Sequence, residues 1–164
     1  MIKQRYEEAA IFHGHRCPGL AIGVRAAWEA RLRLGEKLLC VTESINCSVD
    51  AFQVLLGCTF GNGKLISRPT GKCAFSFFAA DSGESLRLIQ RRLPQGLDME
   101  EKIDFILTAP IEQVFVPGPV RRPWPEKKKK EPVLCCAVCG EPTDGDMLGE
   151  KDGRPVCTDC ADEK

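Results

Sequence analysis

Histidine is nearly absent from this chain, which holds two in 164 residues, His13 and His15. No stretch approaches the roughly 18 consecutive apolar residues of a membrane span, so no membrane role is expected. A dinucleotide loop of the G-x-G-x-x-G kind is missing, and "GNG" at 61–63 reads as a hairpin turn. The C-x2-C-x2-C-x3-C-P run of ferredoxins is missing too, which excludes that route to an iron–sulfur cluster. The opening "MIKQRYEEAA" carries acids and lacks the apolar centre of a signal peptide. A cytoplasmic location is therefore expected.

Cysteine, by contrast, is plentiful. Ten thiols in a chain with no export signal point to metal rather than to disulfides. Charge is uneven beneath a formal net of zero. Residues 1–116 hold 14 basic and 13 acidic side chains, residues 117–132 hold six and two, and residues 133–164 hold three and eight. The middle segment, "PGPVRRPWPEKKKKEP", has five of the eleven prolines and four consecutive lysines. Proline removes backbone donors and like charges repel, so 117–132 reads as a linker between a core and a tail.

The tail carries Cys136-x2-Cys139 and Cys157-x2-Cys160, with seventeen residues between the pairs. Two intervening residues let both thiolates turn onto one ion, and two such knuckles complete a tetrahedral zinc site. A segment this short cannot build its own apolar core and needs its metal to fold. "KDGRPV" adds a hairpin signal before the second pair. Cys135 is an alternative to Cys136 by register slip, but Cys136 has the two-residue spacing. Four thiolates leave no open coordination position, so this Zn2+ is expected to be structural and the module to dock a protein partner. The tail's net charge of −5, with about −2 more from zinc and four thiolates, disfavours nucleic acid. The lysine run is then a solvated spacer.

In the core, Ile2, Tyr6 and Ala9 or Ala10 mark a short helix. Pro18 suits the first turn of a second helix with a Leu20, Val24, Ala27, Trp28 and Leu32 stripe and Gly35 as its stop. Residues 37–45 read as a strand. Residues 48–57 read as a helix with Ser48 as N-cap and Gly57 at its end. Strands follow at about 64–68 and 72–79, then a helix capped by Ser82 and ending before Pro94. Asp98 with Glu101 forms a capping box, and 111–116 reads as a last strand. The sum is α+β, a mixed or antiparallel sheet packed with helices, followed by a small zinc-ribbon or treble-clef-like domain. Cys40 and Cys73 fall inside strands and are read as core.

"HGHRCPG" places both histidines beside Cys17. Imidazole and thiolate are ligands of zinc and of several other transition metals. Extended backbone would put His13, His15 and Cys17 on one side, and the helix starting at Pro18 would favour a thiolate at Cys17. A second segment, "CSVDAFQVLLGCTFGNGKL", sets Cys47 and Asp50 at one helix end and Cys58 just past the other.

Together these two segments resemble the E-subunit family of formylmethanofuran dehydrogenase, over roughly residues 5–116. The match covers His13, Gly14, His15, Cys17, Pro18 and Gly19, then Cys47, Asp50, Ala51, Gln53, Gly57, Cys58, Thr59 and Gly61. The resemblance implies an α+β core and an intertwined homodimer, and some members carry a C-terminal zinc finger. The named redox reaction belongs to molybdenum or tungsten pterin and iron–sulfur subunits, so this chain is not expected to perform it alone.

Three functions compete. The first is a metal-binding accessory protein of formylmethanofuran dehydrogenase-type metabolism, with a second transition metal, Zn2+ among the candidates, in an open core site. Its nucleus is His15, Cys17 and Cys58, with His13, Cys47 and Asp50 in or next to the ligand set. Which of Cys47 and Cys58 is a ligand stays open. The second is an enzyme using Cys17 or Cys58 as thiolate and His13 or His15 as acid–base. The third is a metal-sensing or transcription-related regulator.

Overall fold

The computed structural model describes residues 1–125 and 131–162. The chain forms two compact units, Met1–Pro123 and Trp124–Lys164. Residues 126–130 of the expected linker lie outside the described residues.

The first unit begins with helix α1 (Ile2–His13), closed by Gly14 in the left-handed conformation at φ 88°. Helix α2 (Pro18–Leu34) starts with proline in its first turn and stops at Gly35, φ 87°. Its buried surface is wider than a single stripe, taking in Ile22, Ala26 and Ala30 as well as Leu20, Val24 and Ala27. Trp28 is half-buried and Leu32 is 68% exposed, so the expected stripe runs off the core at its far end.

Strand β1 (Leu38–Thr42) leads to α3 (Ser48–Leu56), then β2 (Leu65–Ser67) and β3 (Ala74–Ala79). Ser48 is the first helical residue rather than the cap. The Asn46 side chain accepts from its N–H at 3.0 Å and from its hydroxyl at 2.6 Å. Gly57 ends α3 in the left-handed region as expected.

The helix expected after Ser82 is a strand, β4 (Ser85–Gln90). Ser82 and Gly83, φ 74°, make the turn of a β3–β4 hairpin. Leu86 and Leu88 face the core while Arg87 faces the other way, an alternation of period two. Helix α4 (Met99–Thr108) carries the Asp98–Glu101 capping box in full. Residues 111–116 divide between a one-turn helix, α5 (Ile111–Val114), and β5 (Phe115–Gly118). Strand β5 therefore reaches Pro117 and Gly118, two residues expected to be linker.

The sheet order is β2-β1-β3-β4-β5, with β2 parallel to β1 and every other pair antiparallel. One face carries Leu38, Cys40, Phe75, Phe77, Leu86 and Leu88 into a core shared with α1, α2, α3 and α4. Phe52 of α3 sits edge-on to Phe75 and Phe77, at 4.9 and 5.4 Å between centroids. The start of α3 lies hard against α2. A Cβ on Gly23 would come 2.4 Å from the Ser48 carbonyl oxygen, a separation no side chain tolerates. Glycine here brings the beginnings of two helices to one place.

The second unit contains β6 (Val133–Cys135), β7 (Pro142–Asp144), a 3-10 turn at Gly145–Met147, β8 (Gly149–Lys151), β9 (Arg154–Val156) and α6 (Thr158–Asp162). Two antiparallel hairpins, β6–β7 and β8–β9, surround a very small core of Cys136, Val156 and Cys160. Among the described residues no helix is long and apolar enough to cross a membrane.

Candidate metal centres

His13 is the last residue of α1, and left-handed Gly14 turns the chain back at once. The extended alternation expected through "HGHRC" is therefore absent. The turn nonetheless stacks the two imidazoles, with centroids 4.4 Å apart. Cys17 is extended at the N-cap of α2, and its sulfur accepts from the Leu20 N–H at 3.3 Å. The helix start thus offers one N–H and its positive end to this sulfur. Tyr6 fixes the segment from below by donating its hydroxyl to the Cys17 carbonyl at 3.2 Å.

Asp50 lies in the first turn of α3, where the helix dipole favours a carboxylate. Its Oδ2 is 2.7 Å from His13 Nδ1, and its Oδ1 accepts from Gln53 at 3.1 Å. A carboxylate on Nδ1 calls for a proton there, which leaves Nε2 as a bare lone pair. Nε2 is 3.8 Å from Cys17 Sγ. Donor atoms of His13, His15 and Cys17 all lie within 4.8 Å of one another. A tetrahedral ion with bonds of about 2.0–2.3 Å separates its ligand atoms by roughly 3.5–3.8 Å, so small shifts of these side chains close the site. The donor set fits a zinc-like ion and leaves room for one further ligand.

Cys47 stands immediately beside this group. A Cβ on Gly19 would meet Cys47 Cβ at 3.3 Å and Cys17 Sγ at 3.9 Å, so Gly19 keeps open the space the two thiols share. Burial raises the Cys47 thiol, and the hydrogen bond and charge of Cys17 raise it further. Cys58 is elsewhere. It lies beyond the other end of α3, fully buried, with its S–H donating to the Leu38 carbonyl at 3.1 Å. Burial pushes this thiol up to about 11. The structure brings together His13, His15 and Cys17, with Cys47 and Asp50 alongside, and does not bring Cys58 to them. Sequence reasoning missed Tyr6 as a positioning group, since its place in the α1 stripe signals only burial.

In the second unit the sulfurs of Cys136, Cys139, Cys157 and Cys160 lie within 4.8 Å of one another, and no cysteine among the described residues forms a disulfide. Cys139 and Cys157 sulfurs are 4.0 Å apart, close to the roughly 3.8 Å edge of a zinc tetrathiolate. Cys136 Sγ accepts from the N–H groups of Cys157 at 3.3 Å and Val138 at 3.4 Å. Backbone N–H donors, that of Cys157 foremost, lower this thiol to about 6. Its neighbour Cys160 is pushed up to about 12, chiefly by its hydrogen bond to the Cys157 thiol. Four thiols share protons in the space an ion would fill. The Asp152–Gly153 turn, both residues at positive φ, delivers the second knuckle through the β8–β9 hairpin. Cys135 is exposed in β6 and outside the group.

Residues 12–116 match the family model described as "FmdE, Molybdenum formylmethanofuran dehydrogenase operon". The fold is similar to the crystal structure of an FmdE-like protein of tungsten formylmethanofuran dehydrogenase from Syntrophus aciditrophicus. The TM-score is 0.75 at 27% sequence identity, over 98% of this chain and 92% of that one. A probable S-adenosyl-L-methionine-binding protein of Archaeoglobus fulgidus is 36% identical over 87 residues, 47% of this chain and 24% of that protein. The chain thus spans about a quarter of that curated relative's length.

Proposed function

The chain belongs to the FmdE family, and from that premise we propose that it is a metal-binding accessory protein of formylmethanofuran dehydrogenase-type metabolism. The observation that carries the core site is the Asp50–His13–Cys17 line, in which a carboxylate on Nδ1 leaves Nε2 bare and turned toward a sulfur. That arrangement is how proteins orient a ligating imidazole and raise its basicity. His13, His15 and Cys17 would hold the ion, Cys47 stands ready as a further thiolate, and Asp50 sets the tautomer. An ion held by three protein donors would supply a Lewis-acidic position for a small ligand. The four tail cysteines would hold a structural Zn2+, and the tail would dock a protein partner. The name of the archaeal relative belongs to a protein four times the matched length and assigns nothing to the shared segment.

The same geometry supports a second reading, a thiol–imidazole–carboxylate catalytic group with Cys17 as nucleophile. We infer further that the chain is a cytoplasmic homodimer. Ile11 and Phe12 at the end of α1, 84% and 60% exposed, are apolar surface that a partner copy would cover. Residues 117–132 would act as the spacer between core and tail.

Elemental analysis of protein purified without added metal tests the reading. Two ions per chain are expected, with His15→Ala losing one and Cys58→Ser losing none. One ion per chain in the wild type, with Cys17 labelled rapidly by iodoacetamide, would sink the core metal and favour the thiol enzyme.

A further inference from the structure

The sheet face turned away from the helices holds a recess of about 170 Å³ that neither metal centre uses. Its floor is a row running across four strands, Val41, Ser76, Arg87 and Gly118, each paired with the next. Val41, Ser76 and Arg87 are 3%, 6% and 3% exposed. Gly118 contributes no side chain, and nothing would meet a Cβ there within 4 Å, so space remains beside Arg87.

The charges around this floor are lopsided. Arg68, Lys72, Arg87, Arg121 and Arg122 line the recess with a single carboxylate, Glu43. That carboxylate is already engaged. Glu43 Oε1 takes Arg87 Nε at 2.7 Å and Nη2 at 2.5 Å, and Oε2 accepts from the Thr70 hydroxyl at 2.9 Å. Burial alone would raise the Glu43 carboxyl, but the hydrogen bonds from Arg87 and Thr70 outweigh it and hold it below the usual range. None of Arg68, Lys72, Arg121 and Arg122 forms an ion pair among the described residues. Four cations converge on one concavity with a buried polar floor, an arrangement that repels itself until an anion enters.

We propose that this recess binds the phosphate group of a small phosphate-bearing molecule. Guanidinium forks match phosphate oxygens in pairs, and Lys72 adds a compact point charge. Ser76 provides a hydroxyl on the floor. A nucleic-acid backbone would call for a stripe of cations along an open surface, whereas these point into a closed depression. The site is separate from the His13 cluster, so its fate does not depend on the core metal.

Isothermal titration of the full chain in low-salt buffer tests this, with inorganic phosphate, pyrophosphate and adenosine monophosphate as probes. Saturable binding of at least one probe at one site per chain is expected. An ester that binds more tightly than inorganic phosphate identifies a phosphorylated metabolite as the source, and the reverse order identifies the free anion. The double variant Arg121→Gln/Arg122→Gln, placed beyond the sheet, should weaken binding about tenfold or more. Lys72→Gln should weaken it as well, with melting temperatures unchanged in both. His13→Ala should bind as the wild type does. No saturation by about 1 mM probe, or binding indifferent to these substitutions, overturns the proposal. So does citrate binding as tightly as pyrophosphate, or retention on a single-stranded oligonucleotide without phosphate binding.

Discussion

His13 Nδ1 and Asp50 Oδ2 lie 2.7 Å apart although 37 residues separate them, and this contact ties the end of α1 to the first turn of α3. The imidazole side chain is 11% exposed and the carboxylate 31%. Their pairing settles which ring nitrogen remains available to an ion.

Asp50→Asn should therefore weaken the core metal by about 10- to 100-fold, the usual cost of removing an outer carboxylate from a ligating histidine. An amide keeps the size of the side chain but not the charge that favours the Nδ1 proton. Competition with a chromogenic chelator would measure the change, and the tail metal should be untouched. A core affinity equal to the wild type would mean that His13 is not a ligand.

Gly23→Ala should destabilise the first unit by about 1–3 kcal/mol, the range for forcing an extra methyl into a packed interior. The new Cβ would meet the Ser48 backbone and the Ala51 side chain, so α2 and α3 must part where the site is assembled. Denaturant melts should show the loss, and core metal affinity should fall with it.

Much of this is legible in the sequence where the signal is local. Asp98 and Glu101 are one helical turn apart, and the capping box is complete. Pro18, Gly35 and Gly57 stand at the helix ends where their backbone chemistry puts them. Signals that need a neighbour mislead. Ser82 resembles a cap, but Gly83 at φ 74° and the pairing of Arg87 with Ser76 make a hairpin. Ile111–Val114 has strand-like composition yet forms one helical turn before the chain enters the sheet at Phe115. At the site, both motifs are visible, but nothing local separates Cys58 from the histidine group. The nine residues of α3 span about 13 Å, so Cys47 and Cys58 cannot both attend one ion.

The Glu43–Arg87 pair should leave a mark on acid stability. Its folded pKa is lowered by Arg87 and Thr70 against the opposing effect of burial. The sign follows from proton binding: the unfolded state takes up the proton first, so the pair's contribution is present above about pH 4.3. It is lost as pH falls through the lower folded value. Glu43→Gln should therefore cost more stability at pH 7 than at pH 3, because at low pH the wild type has lost the same charge. Parallel urea melts at the two pH values would check this. An equal cost at both would mean the pair contributes through packing alone.

The four-cysteine unit should depend on its ion entirely. Its buried interior consists of Cys136, Val156 and Cys160, with Cys157 packed against it. Three residues cannot offset the ordering of some thirty, since each ordered residue costs about 1–2 kcal/mol in backbone entropy. An ion bridging Cys136, Cys139, Cys157 and Cys160 would tie both knuckles together and supply what the apolar core lacks. Cys139→Ser or a strong chelator should collapse the amide dispersion of residues 133–162 while the first unit still unfolds cooperatively at its usual midpoint. Cys135→Ser should do neither, because that thiol is exposed in β6 and outside the cluster. If the dispersed spectrum survives chelation, hairpin pairing through β6–β7 and β8–β9 is enough to hold the unit, and the ion is not what folds it.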